Sequence, residues 1–426
     1  MNRSLQPAIR PIEHIEIPPM KKEVFPNGIP YYVIHAGDQD VVRIDIIINA
    51  GSWDQDKVLA SKLTFRMLKE GTSQLSSAKI SEEIDYYGAS FHINSSFHSS
   101  FITFYTLTKH LEPLMALVEQ LLKEPSFPQK ELDTVLNLHK QEHLLSVKKV
   151  TTLATRSFSE AFFGKEHGYG RTTDIKDYDL IKREDLTAFH HHFIHSGNCQ
   201  VVISGNVSDR EIRLVEMHIG TSSWGSLLAK EEKNYVIKPS TERQIFVEKD
   251  DALQSAIRLG TNCVKNDHPD FHKMKLLNMI LGGYFGSRLM SSIREEKGYT
   301  YGIGSSISSF KNAAYLYIST QADCKYTRPL IEEVYHQIDI LQQDLVDADE
   351  LERVRNYSIG QFCRSLESPF AIADAYISLL VNNSDTTSLF HLLDAIQTTT
   401  AEEVRDLAIR YLQKEKFYEV VAGKME

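Results

Sequence analysis

The chain lacks several features that would each have narrowed its function. No apolar run approaches the ~18 residues of a membrane span, so no membrane contact is expected. Cysteine is scarce: Cys199, Cys263, Cys324 and Cys363 are the only four in 426 residues and share no CxxC spacing. That pattern suggests reduced core thiols rather than a disulfide or zinc framework. Positive charge is in deficit, with 47 Lys plus Arg against 57 Asp plus Glu and a formal net charge of −10. A nucleic-acid partner is therefore not expected, because such binding draws on a basic patch that releases counterions from phosphates. The first twenty residues, MNRSLQPAIRPIEHIEIPPM, carry glutamates and prolines where a signal peptide needs an apolar stretch, and a cytoplasmic location is the expectation. What the chain does have is apolar material, 42% hydrophobic and 10% aromatic, ample for sizeable cores. Its length predicts two or three domains at roughly 150 residues each.

Hydrophobic patterning divides the chain into two similar halves. VRIDIIINA (42–50) reads as a buried strand, followed by a helix from about Lys57 to Lys69 that Gly71-Thr72 ends. A second helix over 78–87, strands around FHINSSF and FITFYTLT, and helices over Leu111–Leu122 and from Lys130 complete the pattern. The same order recurs as AIRLGTN, HKMKLLNMILGG, SRLMSSIREEKG, YTYGIGSSIS and AAYLYISTQ, with helices near Pro329 and Ala348. Pro113 pairs with Pro329 at an offset of 216, and Glu131-Leu132 with Glu350-Leu351 at an offset of 219. The prediction is an α+β fold of two related domains, 1–222 and 244–426, each an antiparallel sheet with helices on one side. The segment 223–243, rich in Ser, Lys and Glu and without periodicity, reads as the linker.

Four segments carry a family resemblance: Asn49-Ala50-Gly51-Ser52-Trp53-Asp54, Gly71-Thr72, FHHHFIHSGNCQVVISGNV (189–207) and LGGYFGSRLMSSIREEKGYTYGI (281–303). Together they resemble the pitrilysin/insulinase zinc metallopeptidases, peptidase family M16, in its short two-domain subgroup that includes mitochondrial processing peptidase subunits. The resemblance spans nearly the whole chain and implies a clamshell-like half chamber. It also implies an inverted zinc motif, HxxEH, on the helix before the Gly-Thr, with a glutamate on a later helix as a further ligand. Here Lys62 and Arg66 stand where the histidines would be, and Phe65 replaces the general base. Neither cation has a lone pair for a metal, so no cofactor is expected in this chain. Glu142 fills the later glutamate position, and an ion pair from it to Lys62 or Arg66 is the expected substitute for the metal.

Other strings need weighing. His139-Lys140-Gln141-Glu142-His143 is itself a literal HxxEH, but no acidic residue lies 75–77 positions beyond His143. A polar helix face is the plainer reading, and a displaced metal site at His139 and His143 the sharper one. His190, His191, His192 and His195 lack an evident third ligand and read as structural. Gly282 to Gly286 lacks the GK[ST] ending of a phosphate loop; the resemblance makes it a flexible loop.

The resemblance further implies an arginine and a tyrosine, seven residues apart, that reach toward substrate and transition state. Arg294 and Tyr301 have that spacing. An arginine fork can hold a peptide carbonyl or carboxylate, and a tyrosine hydroxyl can donate to a developing oxyanion. The implied role is a non-catalytic subunit that supports the zinc site of an HxxEH-bearing sister chain during peptide hydrolysis, with zinc in that partner. The alternatives are a peptidase-derived scaffold and a metallopeptidase using 139–143. The family's peptide-binding edge strand corresponds to Ala89–Ile93, where His92 and Ile93 depart from the usual pattern and argue against peptide binding on this half.

Overall fold

Strand patterning sets the first sheet. In VVRIDIII, Val42, Ile44, Ile46 and Ile48 point to one face and Arg43, Asp45 and Ile47 to the other, and all seven are buried. The computed structural model describes residues 12, 15–228 and 230–424, so much of the N-terminal stretch read above lies outside the described residues. The first half runs β1 (Lys21–Val24), β2 (Pro30–His35), β3 (Val41–Ile48), α1 (Ala60–Met67), α2 (Ser77–Tyr86), β4 (Ser90–Ser95) and β5 (Ser100–Leu107). It continues with α3 (Leu111–Lys123), α4 (Gln129–Ser146), α5 (Val150–Phe163), α6 (Asp177–Leu180), α7 (Arg183–Phe193), β6 (Cys199–Gly205) and α8 (Asp209–Val215). The second half contains β7 (Gln244–Glu248), β8 (Gln254–Asn262), α9 (Phe271–Asn278), β9 (Ile303–Ser309), β10 (Ala314–Asp323) and α10 (Thr327–Gln343). After these come α11 (Ala348–Arg364), α12 (Pro369–Val381), α13 (Thr387–Thr398), α14 (Ala401–Tyr411) and β11 (Tyr418–Gly423). No helix among the described residues is long and apolar enough to cross a membrane.

The α+β architecture with two open sheets is as expected. Strand order is β1-β2-β6-β3-β5-β4 in one sheet and β7-β11-β8-β10-β9 in the other. Pairing is antiparallel except for β2–β6 and β7–β11, whose members lie far apart in the chain and can return in parallel through intervening helices. The internal repeat holds to the register of single residues. Pro113 and Pro329 each stand third in α3 and α10, and Glu131 and Glu350 third in α4 and α11. A proline is tolerated in that first turn because its missing N–H would lack a helical partner there. Between Thr221 and Arg243 the described residues form no helix or strand.

One expectation is corrected: each sheet carries helices on both faces. The nearer layer belongs to the same half, with α1, α3 and α7 packed on Val42, Ile44, Ile46 and Ile48. The other layer is exchanged between halves. Ile372, Ala373 and Tyr376 of α12 cover Tyr32, Ile34, Ile47 and Val202 of the first sheet. Phe158 and Phe162 of α5 cover Tyr315 and Val420 of the second, and Ala154 sits on Ala256 and Ala422. A strand apolar on both faces, as β3 is, requires cover on both.

Two seams, one polar and one aromatic, lock this exchange. The Arg43 guanidinium, 6% exposed, pairs through Nε with Asp45 at 2.7 Å and reaches Asp374 of α12 at 2.7 Å. It also donates to the Phe370 carbonyl at 3.2 Å, and the Thr103 hydroxyl donates to Asp45 at 2.6 Å. The second seam is aromatic: Trp53 and Tyr169 lie 4.7 Å apart, and Tyr169 packs on Phe310 of the second half at 4.5 Å. The Tyr169 hydroxyl accepts from the Asn312 N–H at 3.2 Å and shares a hydrogen bond with His98 Nε2 at 2.6 Å. Burial pushes the His98 pKa down to about 4.

Asp45→Ala leaves the buried Arg43 guanidinium with Asp374 as its remaining carboxylate and is expected to cost about 1–3 kcal/mol, read from the urea unfolding midpoint. A loss below about 1 kcal/mol would show that Arg43 does not depend on Asp45. For His98 the unfolded ring protonates near its ordinary pKa of 6.5, the folded ring only near 4. Its contribution is therefore complete above pH 6.5 and lost as pH falls toward 4. His98→Gln should flatten that part of the stability–pH curve, and an unchanged slope would exclude His98 as a contributor.

Candidate functional site

The first family-like segment is a structural lead-in to α1. A Cβ on Gly51 would lie 2.2 Å from the Ser96 carbonyl oxygen, so only glycine permits this approach. The Ser52 and Trp53 N–H groups donate to the Ser96 and Phe97 carbonyls at 2.9 and 2.8 Å. Buried Asp54 accepts from the Gly51 N–H at 2.9 Å and pairs with Lys230 at 2.9 Å. The turn then passes through Leu59 in the left-handed region, φ 76°, before α1 begins.

On α1 the three altered positions separate. Phe65 is 1% exposed and meets Phe189 of α7 edge-on, ring centres 6.4 Å apart. Lys62 is exposed and Arg66 half-buried. Arg66 pairs with Glu70, one turn on, and Glu70 also accepts from the Ser77 hydroxyl at 2.7 Å. The expected ion pair from Glu142 to Lys62 or Arg66 is not formed. Glu142, largely exposed, instead meets His139 Nδ1 at 3.2 Å on its own helix, because a partner three residues away lies beside it without any reach between helices. Burial, and then the charges of Lys62 and Arg66, hold the His139 pKa below its ordinary value. The fold thus brings α4 opposite α1, with His139 facing the two cations.

That cluster does not fit a zinc ion, since Lys62 and Arg66 repel a cation and offer it no lone pair. The displaced alternative lacks ligands as well. His143 packs against Tyr178, ring centres 5.5 Å apart, and no group of three or more His, Cys, Asp or Glu among the described residues is placed to hold a metal. His190 is half-buried, with its Nε2 2.8 Å from the Leu122 carbonyl, a packing role.

In the second half Arg294 lies on a π-helical turn, Met290–Glu296, with its guanidinium 4.7 Å from the centre of the Phe285 ring. Tyr301, in the loop before β9, is 95% exposed and makes no hydrogen bond or ring contact among the described residues. The glycine stretch is not a flexible loop at its start: Gly282 is buried, and a Cβ there would sit 2.7 Å from Ser305 Oγ. Arg288 forks Glu350 of α11 at 2.9 and 2.8 Å, so this arginine of the segment is structural. The sequence reading missed a cavity of about 220 Å³ beside α1, where Lys62 and Arg171 face one space. No motif joins positions so far apart.

Comparison with known proteins agrees with this architecture. Residues 32–169 match the family described as insulinase (peptidase family M16), and residues 181–358 match the peptidase M16 inactive domain. The chain belongs to peptidase family M16. It is 23% identical over 355 residues to "Uncharacterized zinc protease YmxG" of Bacillus subtilis, covering 82% of this chain and 85% of that one. It is also 23% identical over 367 residues to "Non-peptidase homolog YmxG" of Helicobacter pylori, covering 83% and 82%. Among solved structures, the peptidase M16 inactive domain from Pseudomonas fluorescens superposes with a TM-score of 0.85 at 23% identity, covering 96% of this chain and 98% of that one. A protease from Helicobacter pylori superposes at 0.87 with 16% identity, covering 96% and 100%.

Purified chain equilibrated with zinc is expected to retain far less than one equivalent by metal analysis, and His139→Ala to leave that content unchanged. A stoichiometric metal removed by His139→Ala would establish a centre on α4.

Proposed function

We propose that this chain is the non-catalytic half of a two-chain M16-type zinc endopeptidase, and that Arg294 and Tyr301 act on peptide bound at the active site of an HxxEH-bearing sister subunit. The observation that carries this reading is Tyr301: a tyrosine at the family's spacing from an arginine, 95% exposed and unpartnered among the described residues, in a protein with Lys62 and Arg66 where the family's zinc histidines would stand. Arg294, steadied over Phe285, supplies a fork for a carbonyl or carboxylate of the substrate. The Tyr301 hydroxyl donates to the oxygen that gains charge as the amide is attacked. The active unit is then the heterodimer, zinc belongs to the partner, and the substrates are peptides. Four free cysteines support a cytoplasmic site of action.

A second reading has its own support. The relative named "Non-peptidase homolog YmxG" favours a scaffold role without proteolysis. The two separate on one experiment: affinity purification from native cells at moderate salt, identification of a zinc-motif companion, and peptide cleavage by the pair. Tyr301→Phe and Arg294→Ala are each expected to lower the cleavage rate by about 10²–10³-fold with association intact. Unchanged rates in an intact complex would select the scaffold.

A further inference from the structure

We propose that the cavity beside α1 is an anion site that holds a carboxylate of an extended peptide docked along the free edge of β4. This inference rests on the reading that the chain handles peptides, and adds the substrate class: peptides with an acidic group.

Charge accounting comes first. The cavity's polar lining includes Gln55, Lys62, Arg171 and Tyr235, and no Asp or Glu contributes. Lys62 and Arg171 form no ion pair or side-chain hydrogen bond among the described residues. Of the carboxylates nearby, Glu70 is taken by Arg66 and Asp174 by Arg156 at 3.0 Å, while Glu142, largely exposed, turns to His139 on its own helix. Two uncompensated cations thus share one concavity in a chain whose net charge is −10. Gln55 adds a donor, because its Oε1 already accepts from the Ser61 N–H at 3.2 Å, leaving the amide NH₂ uncommitted. Arginine offers a planar fork matched to a carboxylate, and lysine a second charge.

Position and size select the ligand. At about 220 Å³ the cavity is smaller than the roughly 300–1,000 Å³ of sites that enclose whole cofactors, and it suits a terminal group. One wall is Ser95, the last residue of β4. That strand is the end of its sheet and pairs with β5 alone, so its outer main-chain groups are open to an added strand. The departures His92 and Ile93 do not close this edge. His92 turns to one face of the sheet, where its ring meets the Ser90 hydroxyl at 2.9 Å, and Ile93 packs on the core at the other. A peptide following β4 therefore leads to Lys62 and Arg171.

The test is fluorescence anisotropy on the full-length chain, without partner or cleavage, using three labelled ten-residue extended peptides. One has a free C-terminal carboxylate, one an amidated terminus with an internal Glu, and one an amidated terminus with Gln in its place. At least one acidic peptide should bind about 10–100-fold more tightly than the Gln peptide, and which of the two does so identifies the carboxylate's source. Lys62→Gln and Arg171→Gln should each erase most of that preference without weakening the Gln peptide. Both side chains are exposed, so the variants should retain the wild-type melting temperature. Equal affinities for all three peptides, or a preference that survives both substitutions, would overturn the proposal. Because no cleavage is measured, this outcome is independent of the effect of Tyr301→Phe on the heterodimer.

Discussion

The structure depends on an exchange of helices between its halves. β3 is apolar on both faces, and a sheet built on such strands cannot leave one face in water. Each half supplies the helix that the other lacks, α12 to the first sheet and α5 to the second. The Arg43, Asp45 and Asp374 cluster makes the first of these contacts specific, since a buried guanidinium must meet its carboxylates at fixed geometry or carry an unpaired charge. Neither repeat is therefore self-sufficient, although each resembles the other element by element. The long linker between them is compatible with this arrangement because the exchanged helices, not the linker, set the relation of the two sheets.

Against that frame the altered zinc helix has a definite physical character. Phe65 has been absorbed into the packing of α1 on α7, where a carboxylate would be buried without a partner and costly. Lys62 and Arg66 stay toward solvent, and Arg66 is neutralised locally by Glu70. What remains is net positive charge beside an open strand edge. Metal-assisted chemistry needs ligands that this helix does not have, whereas binding an anion needs only uncompensated cations and donors, which it does. The second half differs: Arg294 and Tyr301 stand seven residues apart, and Tyr301 makes no hydrogen bond or ring contact among the described residues.

Elements with strong local patterns are legible in the sequence. The run at β3 and the prolines in the first turns of α3 and α10 are short-range features, and the repeat could be aligned on them to the residue. Helices such as α12, PFAIADAYISLLV, could not be oriented in the same way: a helix apolar nearly all round has no single face for periodicity to find. The late strands β7 and β11 were equally silent, because their hydrogen-bonding partners come from opposite ends of the second half.

The site divides along the same line. The sequence by itself determined that Lys62, Phe65 and Arg66 stand where the resemblance places the zinc motif, that the chain is a duplicated α+β structure, and that Arg294 and Tyr301 stand seven residues apart. Only the tertiary structure decided that Glu142 goes to His139, that Arg66 goes to Glu70, and that Lys62 shares a cavity with Arg171. The reason is Coulombic: a charge takes whichever partner lies within a few ångströms in a given dielectric, and that competition among groups remote in sequence is settled by packing.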